Sequence, residues 1–201
     1  NNMIIIGLTG SIGMGKSTTA KLFSDLGVPI FDADNAVHKM LGVGGILVKK
    51  VGDAFPSSVQ LKNNKRFIDR NILGNLIFKD KKKKNILEKI IHPEVGRSRK
   101  KWKEFAQREG FQAVCYDIPL LFETKGHKSC NYIVVVSAPF YIQKQRVLKR
   151  LNMTEKKFYN ILNNQLSDYE KRKKADFVIN TGNGHRFSRN QVKLIVNKIL
   201  K

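Results

Sequence analysis

An eight-residue stretch, Gly10-Ser11-Ile12-Gly13-Met14-Gly15-Lys16-Ser17, constrains this chain more than any other feature. It satisfies G-x-x-x-x-G-K-[ST], in which glycines let the backbone curl so that successive N–H groups face inward onto phosphate oxygens. The lysine reaches the outer phosphates, and the hydroxyl after it ligates Mg²⁺. Such a loop works between a strand and a helix whose N-terminal dipole joins in. The flanks fit: Ile4–Leu8 is an apolar run, and Lys16–Leu26 carries Ala20, Leu22, Phe23 and Leu26 near a 3.6-residue period, with Gly27 suited to close the helix. From average residue usage, a chance match in a chain this long has odds of about one in a hundred. The rival G-x-G-x-x-G dinucleotide pattern needs glycine at position 18, which is Thr18. Gly13, Met14, Gly15, Lys16, Ser17 and Thr18 are therefore the candidate ATP-phosphate ligands, and Ser17 a candidate Mg²⁺ ligand.

Further short apolar runs rich in β-branched residues follow at Val28–Phe31, Val114–Tyr116, Ile133–Val136 and Phe177–Ile179. Runs of this kind, separated by helical patterns, predict an α/β fold around a parallel five-stranded sheet flanked by helices. The spacing is uneven. Residues 32–112 far exceed the usual βα connection of about 2–6 residues. Most of that stretch reads as helical, above all Arg70–Phe78 and Lys83–Ile91, with a break at Pro56 and Ser57-Ser58. A single kinase-like domain over 1–201 is expected, with its core at about 1–40, 111–145 and 168–201. A helical insertion is expected at about 41–110 and a basic lid at about 146–167.

Asp32-Ala33-Asp34 follows the second run. Ligands of open α/β sheets bind at the carboxyl ends of the strands. One carboxylate there can take the proton of an attacking hydroxyl, and the other can orient Mg²⁺ through water. The competing reading is that both merely cap a helix over Asn35–Leu41. Asp117 ends the third run, where an Asp commonly helps to hold Mg²⁺, although a turn-forming role fits too, since Pro119 follows. Gln143–Arg150 reads as a helix with Arg146 and Arg150 on one face. Arginines on a flap can close over transferring phosphates; a solvated basic helix is the alternative.

Lys and Arg number 38 against 16 Asp and Glu, a formal charge of +22. A polyanion partner is one reading of such a balance. The lysines are scattered, however, apart from Lys81-Lys82-Lys83-Lys84, and no aromatic residues interleave with them as in RNA-binding motifs. Nucleic acid is not expected among the partners. No run is long enough to span a membrane, and no basic n-region or cleavage site opens the chain, so a cytoplasmic protein is expected. Cys115 and Cys130 lack metal-ligand spacing and are read as reduced thiols.

Together these blocks resemble the dephospho-coenzyme A kinase family. Ile6–Ser17 is similar to its phosphate loop, with Leu-Thr-Gly leading in. Asp25-Leu26-Gly27-Val28-Pro29 and Asp32-Ala33-Asp34 follow at the family's spacing. Asp69-Arg70 with Leu73, Ile77-Phe78 and His92-Pro93 look like its substrate region. Ile118-Pro119-Leu120-Leu121-Phe122-Glu123 is similar to its Pro-Leu-Leu-Phe-Glu block, Gln143, Arg146 and Arg150 to its lid helix, and Gln165, Ser167 and Ala175–Gly182 to its closing block. The resemblance implies a P-loop, adenylate-kinase-like fold with a helical substrate-binding insertion and a small lid. It implies transfer of the ATP γ-phosphoryl to the ribose 3′-hydroxyl of dephospho-coenzyme A, the last step of coenzyme A synthesis. It makes Asp34 the general base beside Asp32, and Lys16 and Arg150 the groups that stabilise the transferring phosphoryl. It places Asn180-Thr181-Gly182 near the adenine, and Arg70, His92 and Leu120 on the substrate side. Met14 departs from the family's small residue; its N–H is expected to serve the phosphates and its side chain to point outward. Other readings are a nucleotide or shikimate-type kinase, and a basic nucleic-acid-binding protein with the same loop.

Overall fold

The computed structural model describes residues 3–78 and 80–201. In chain order its elements are β1 (Ile4–Thr9), α1 (Lys16–Asp25), β2 (Ile30–Asp32), α2 (Ala33–Leu41), α3 (Val48–Ala54), β3 (Val59–Lys62), β4 (Lys65–Ile68), α4 (Arg70–Phe78), α5 (Lys81–Arg108), β5 (Ala113–Asp117), β6 (Tyr132–Ser137), α6 (Phe140–Leu148), α7 (Glu155–Asn163), α8 (Asp168–Lys173), β7 (Phe177–Asn180) and α9 (His185–Ile199). The chain divides into two compact units, one made of the segments up to Phe31 and from Phe105 onward, the other of Asp32–Glu104.

The five apolar runs of the sequence become the five strands of one parallel sheet, ordered β2-β5-β1-β6-β7. β1 is central, pairing with β5 from Ile4↔Ala113 to Leu8↔Asp117 and with β6 from Ile6↔Tyr132 to Thr9↔Val135. Alternation along the strands divides the core. Ile6, Leu8, Cys115, Val134, Val136 and Ile179 form one cluster with Leu22 and Phe23 of α1 and Val192, Ile195, Val196 and Ile199 of α9. Ile133 and Val135 join Leu121 and Phe122 in another. Each fully buried side chain of this kind contributes about 1.5–3 kcal/mol. The basic tail beyond Gly182 is thus more than a solvated helix, because α9 turns one apolar stripe into the core.

Glycine stops α1 as its position predicts. Gly27 has φ +81°, the Gly27 N–H donates to Ser24 O, and the Val28 N–H donates to Phe23 O at 3.0 Å. The basic segment after α6 contains two short capped helices. Thr154 accepts from the Lys157 N–H to start α7, and Ser167 accepts from the Glu170 N–H to start α8. α7 is docked on α6: Phe158, fully buried, stacks on Phe140 at 6.0 Å, and Lys144 pairs with Glu155 at 2.9 Å.

The second unit differs from its predicted, mostly helical character. Val59–Lys62 and Lys65–Ile68 pair antiparallel around Asn63-Asn64, both at positive φ (51° and 58°). A two-residue loop with both residues left-handed matches the twist of a hairpin, and asparagine tolerates it better than most residues. The helix predicted over Lys83–Ile91 runs from Lys81 to Arg108, straight through Pro93. Proline removes one N–H from the ladder, and good helix formers on both sides carry the helix past it. Met40, Leu47, Val51, Phe55, Ile68, Leu73 and Leu87 form this unit's own core.

Candidate active site

The loop after β1 can hold phosphate only if its N–H groups converge. In a trans peptide the C=O and the next N–H point in opposite directions. Converging N–H groups therefore need diverging carbonyls, and those need partners of their own. Each successive carbonyl from Ser11 to Gly15 has one. Ser11 O accepts from the Met14 N–H at 3.2 Å. Ile12 O accepts from Gln143 Nε2 at 2.8 Å, and Gly13 O lies 3.5 Å from Arg146 Nη1. Met14 O accepts from Thr181 Oγ1 at 2.6 Å, and Gly15 O from the Thr19 N–H and hydroxyl at 3.1 Å. Holding Ile12 O and Met14 O outward aims the Gly13 and Gly15 N–H groups inward. Both glycines have positive φ, 77° and 88°. A side chain on Gly15 would press on Thr181 at 3.0–3.3 Å. Gly15 also caps α1 without any side-chain cap, so the first amides of that helix are left to a ligand.

Lys16 opens α1, and its ammonium pairs with Asp117 at the end of β5. Asp117 is 4% exposed, so the pair sits in a shielded place where its electrostatics are strong. The sequence left Asp117 between a metal-site and a turn role; the structure brings it onto the loop lysine. Two residues back in the strand, burial pushes the Cys115 thiol well up, and the Asp117 carboxylate and Cys130 add to that, so Cys115 stays a protonated core residue. Ser17 and Thr18 are exposed in the first turn of α1.

Met14 does not point outward. It is 3% exposed, and its Sδ accepts the Ala138 N–H at 3.1 Å. Its own N–H is spent within the loop on Ser11 O. A residue longer than the family's usual small one is accommodated because the thioether fills the junction between the loop and α6.

Asn180 ends β7, and Thr181 and Gly182 follow it beside the loop. Asn180 Oδ1 accepts from the Gly182 N–H at 2.8 Å. Gln191 of α9 holds the backbone of Asn180 on both sides, accepting from its N–H at 3.0 Å and donating to its O at 2.9 Å. The sequence reading placed Thr181 with Asn180 and Gly182 near the adenine and missed its hold on the loop; Gln191 escaped it altogether. The signal for Thr181 lay in its place between Asn180 and Gly182; Gln191 had none, since one glutamine on a polar helix looks like any other.

Arg146 gives its guanidinium to Thr181, donating to Oγ1 at 2.9 Å and to O at 2.7 Å. The predicted helix Gln143–Arg150 stops at Leu148, so Arg150 lies beyond it, exposed, and the two arginines do not share a helical face. Leu120 is half-buried in the turn after β5, whose start is fixed by Thr9 Oγ1 donating to Pro119 O at 2.9 Å.

In the second unit, Asp32 is the N-cap of α2, accepting from the Asn35 N–H at 2.9 Å, and Asp34 stands in that helix's first turn. The capping reading therefore holds for Asp32, and it uses one of the two carboxylate oxygens. Arg70 is the exposed first residue of α4, on a cleft of about 270 Å³ that it shares with His38, Phe67 and Asp69. His92 is exposed on α5.

Comparison with known proteins identifies the family. The profile of the dephospho-CoA kinase family matches residues 4–186. A dephospho-CoA kinase of Bartonella henselae is 45% identical over 199 residues, covering 99% of this chain and 100% of that protein. One from Agrobacterium fabrum is 43% identical over 197 residues, covering 98% of each. Among solved structures, a Thermus thermophilus protein superposes with a TM-score of 0.85 at 30% identity over 100% of both chains. The dephospho-CoA kinase from Campylobacter jejuni gives 0.71 at 28%, over 97% of this chain and 96% of that one. A shikimate kinase from Bacteroides thetaiotaomicron, at 0.50 and 15%, shares the fold alone. From its phosphate loop, its sheet and this likeness along nearly its whole length, the chain belongs to the dephospho-CoA kinase family.

Proposed function

We propose the following division of labour for the reaction of this family. The chain is a kinase that transfers the γ-phosphoryl of ATP to the ribose 3′-hydroxyl of dephospho-coenzyme A, giving coenzyme A and ADP. The observation that carries the phosphate site is the pair of partners that hold Ile12 O and Met14 O outward, which leaves the Gly13 and Gly15 N–H groups, with the uncapped first amides of α1, to a ligand. Gly13, Gly15, Lys16, Ser17 and Thr18 bind the ATP phosphates there. Lys16 exchanges Asp117 for phosphate oxygens and neutralises charge as the phosphoryl leaves ADP. Met14 serves by packing rather than through its N–H. Asn180 and Gly182 border the adenine, a place supported by their junction with the loop through Thr181.

Asp34 is the general base that takes the 3′-hydroxyl proton, a role supported by the family motif and by its place in the first turn of α2. Arg150 meets the transferring phosphoryl, and Arg146 orders the loop. Arg70, His92 and Leu120 contact the acceptor. Mg²⁺ accompanies ATP. The Ser17 hydroxyl is a hard oxygen donor of the kind that ion takes, and Mg²⁺ bound there would neutralise phosphate charge; Asp32 offers a donor of the same kind in the carboxylate oxygen its cap leaves over. The cytoplasm is the proposed compartment, in keeping with the two free cysteines, Cys115 and Cys130.

The test is ADP release from MgATP with dephospho-coenzyme A, against adenosine, AMP and shikimate. Turnover with the first alone, its product gaining a 3′-phosphate, supports the reading; preference for another acceptor overturns it. Asp34→Asn should lower kcat by about 10²–10⁴ while ATP affinity stays unchanged. A kcat within a few-fold of the parent removes Asp34 from the role of base.

A further inference from the structure

The Ile12 peptide is gripped from two directions by side chains distant in sequence. Gln143 Nε2 donates to Ile12 O at 2.8 Å, and Gln165 Oε1 accepts the Ile12 N–H at 3.2 Å. Gln143 is 3% exposed and belongs to α6. Gln165 belongs to no helix; it lies in the connection that leads from α7 to α8. The residue after it is anchored as well. The Leu166 N–H donates to Glu123 Oε1 at 2.8 Å, and the same oxygen lies 3.1 Å from the Lys171 ammonium, which is fully buried. The contact is an ion pair in a shielded place. An anchored backbone at 166 leaves the 165 side chain a fixed base from which to hold the loop.

We infer that Gln165 is a positioning residue for the nucleotide site, tying the exit of the lid segment to the first peptide of the phosphate loop. The Ile12 N–H belongs to the same peptide as Ser11 O, which accepts the Met14 N–H at 3.2 Å. By fixing that peptide outward, Gln165 keeps Ser11 O on Met14 and closes the first turn of the loop. Gln143 fixes the next peptide, which carries the Gly13 N–H inward. The two glutamines thus set consecutive peptides, and the 11–12 peptide is free to turn over once its outer partner is gone. Glu123 and Lys171 act one step further back, through Leu166.

The inference rests on the loop being the ATP site, and the experiment separates the two. Nucleotide affinity of the full chain is measured by titration with a non-hydrolysable ATP analogue, together with kcat, both KM values and thermal melting. The variants are Gln165→Leu, which keeps the volume and removes the acceptor, Gln143→Leu and the double variant. Gln165→Leu should weaken analogue binding and raise KM for ATP about three- to tenfold, the worth of one hydrogen bond. KM for dephospho-coenzyme A, kcat and the melting temperature without nucleotide should change little. Because both glutamines act through adjoining peptides, the double variant should lose less affinity than the product of the single losses. If the parent does not bind the analogue, the ATP-site reading fails. If the parent binds and Gln165→Leu binds equally well, or loses kcat, both KM values and stability together, the positioning role fails.

Discussion

Lys16 pairs with Asp117 beside the phosphate loop, and in the proposed reaction the ammonium exchanges that carboxylate for phosphate oxygens on each turnover. Lys16→Ala should cut kcat by about 10²–10³, because it removes a positive charge from a shielded place where negative charge develops. Near-parental turnover of folded Lys16→Ala would dissociate the loop from the chemistry. Met14 gives a second test at this scale. Replacing it with serine restores the family's small residue but empties the space the thioether fills beside Ala138. The transfer and cavity costs together come to about 2–3 kcal/mol, or a fall of about 4–10 °C in melting temperature for a chain of this size. An unchanged melting temperature would mean that the junction collapses without loss. At this scale the sequence already singled out Lys16, because a lysine in a phosphate loop has one job. It misplaced the Met14 side chain, because nothing in a motif says which way a neighbouring pocket opens.

Among the elements, those governed by local pattern were legible and those set by long-range pairing were not. All five strands of the sheet and α4 could be read from continuous apolar runs or a 3.6-residue repeat. The β3–β4 hairpin could not, because Val59-Gln60-Leu61-Lys62 alternates over only one turn of pattern, and its side chains stay largely exposed. The Asn63-Asn64 pair was the overlooked sign. The expected eight-residue helix Gln143–Arg150 is displaced toward its N-terminus, running Phe140–Leu148, and its early end has a physical reason: Lys149 and Arg150 have no buried face to hold them in register after Val147. The connection between α7 and α8 offers an element-scale prediction. Burial pushes the Glu123 carboxyl up, but the Leu166 N–H, its own N–H and Lys171 outweigh burial and hold it below the ordinary carboxylate range. A depressed acid stabilises the fold above its unfolded pKa, and that stability is lost as pH falls through the folded value. Glu123→Gln should therefore destabilise by about 2 kcal/mol at neutral pH, because it strands a buried ammonium, although the 21% exposure of the Glu123 side chain moderates the cost. The gap between parent and variant should close on acidification below the carboxylate range. A gap that stays constant down to acid pH would mean that the pair is not what holds Leu166.

At the level of the whole chain, a formal charge of +22 works against compaction. Raising monovalent salt from about 0.05 to 0.3 M shortens the Debye length to about 6 Å or less, which screens like-charge repulsion more than the close pairs such as Arg97–Glu94 at 2.6 Å. The melting temperature should rise with salt over that range; a fall would mean that attractive pairs outweigh repulsion. Among the described residues no helix is long and apolar enough to cross a membrane. The partners of the phosphate loop carry a different consequence. The loop spans residues 10–17, yet its outward peptides are held by Gln143, Gln165 and Thr181, the last 167 positions away from Met14. A ribosome releases the loop first and these residues 131 to 167 positions later. A growing chain therefore carries the complete signature long before it can grip a nucleotide, and ATP becomes a ligand only once synthesis has passed Thr181.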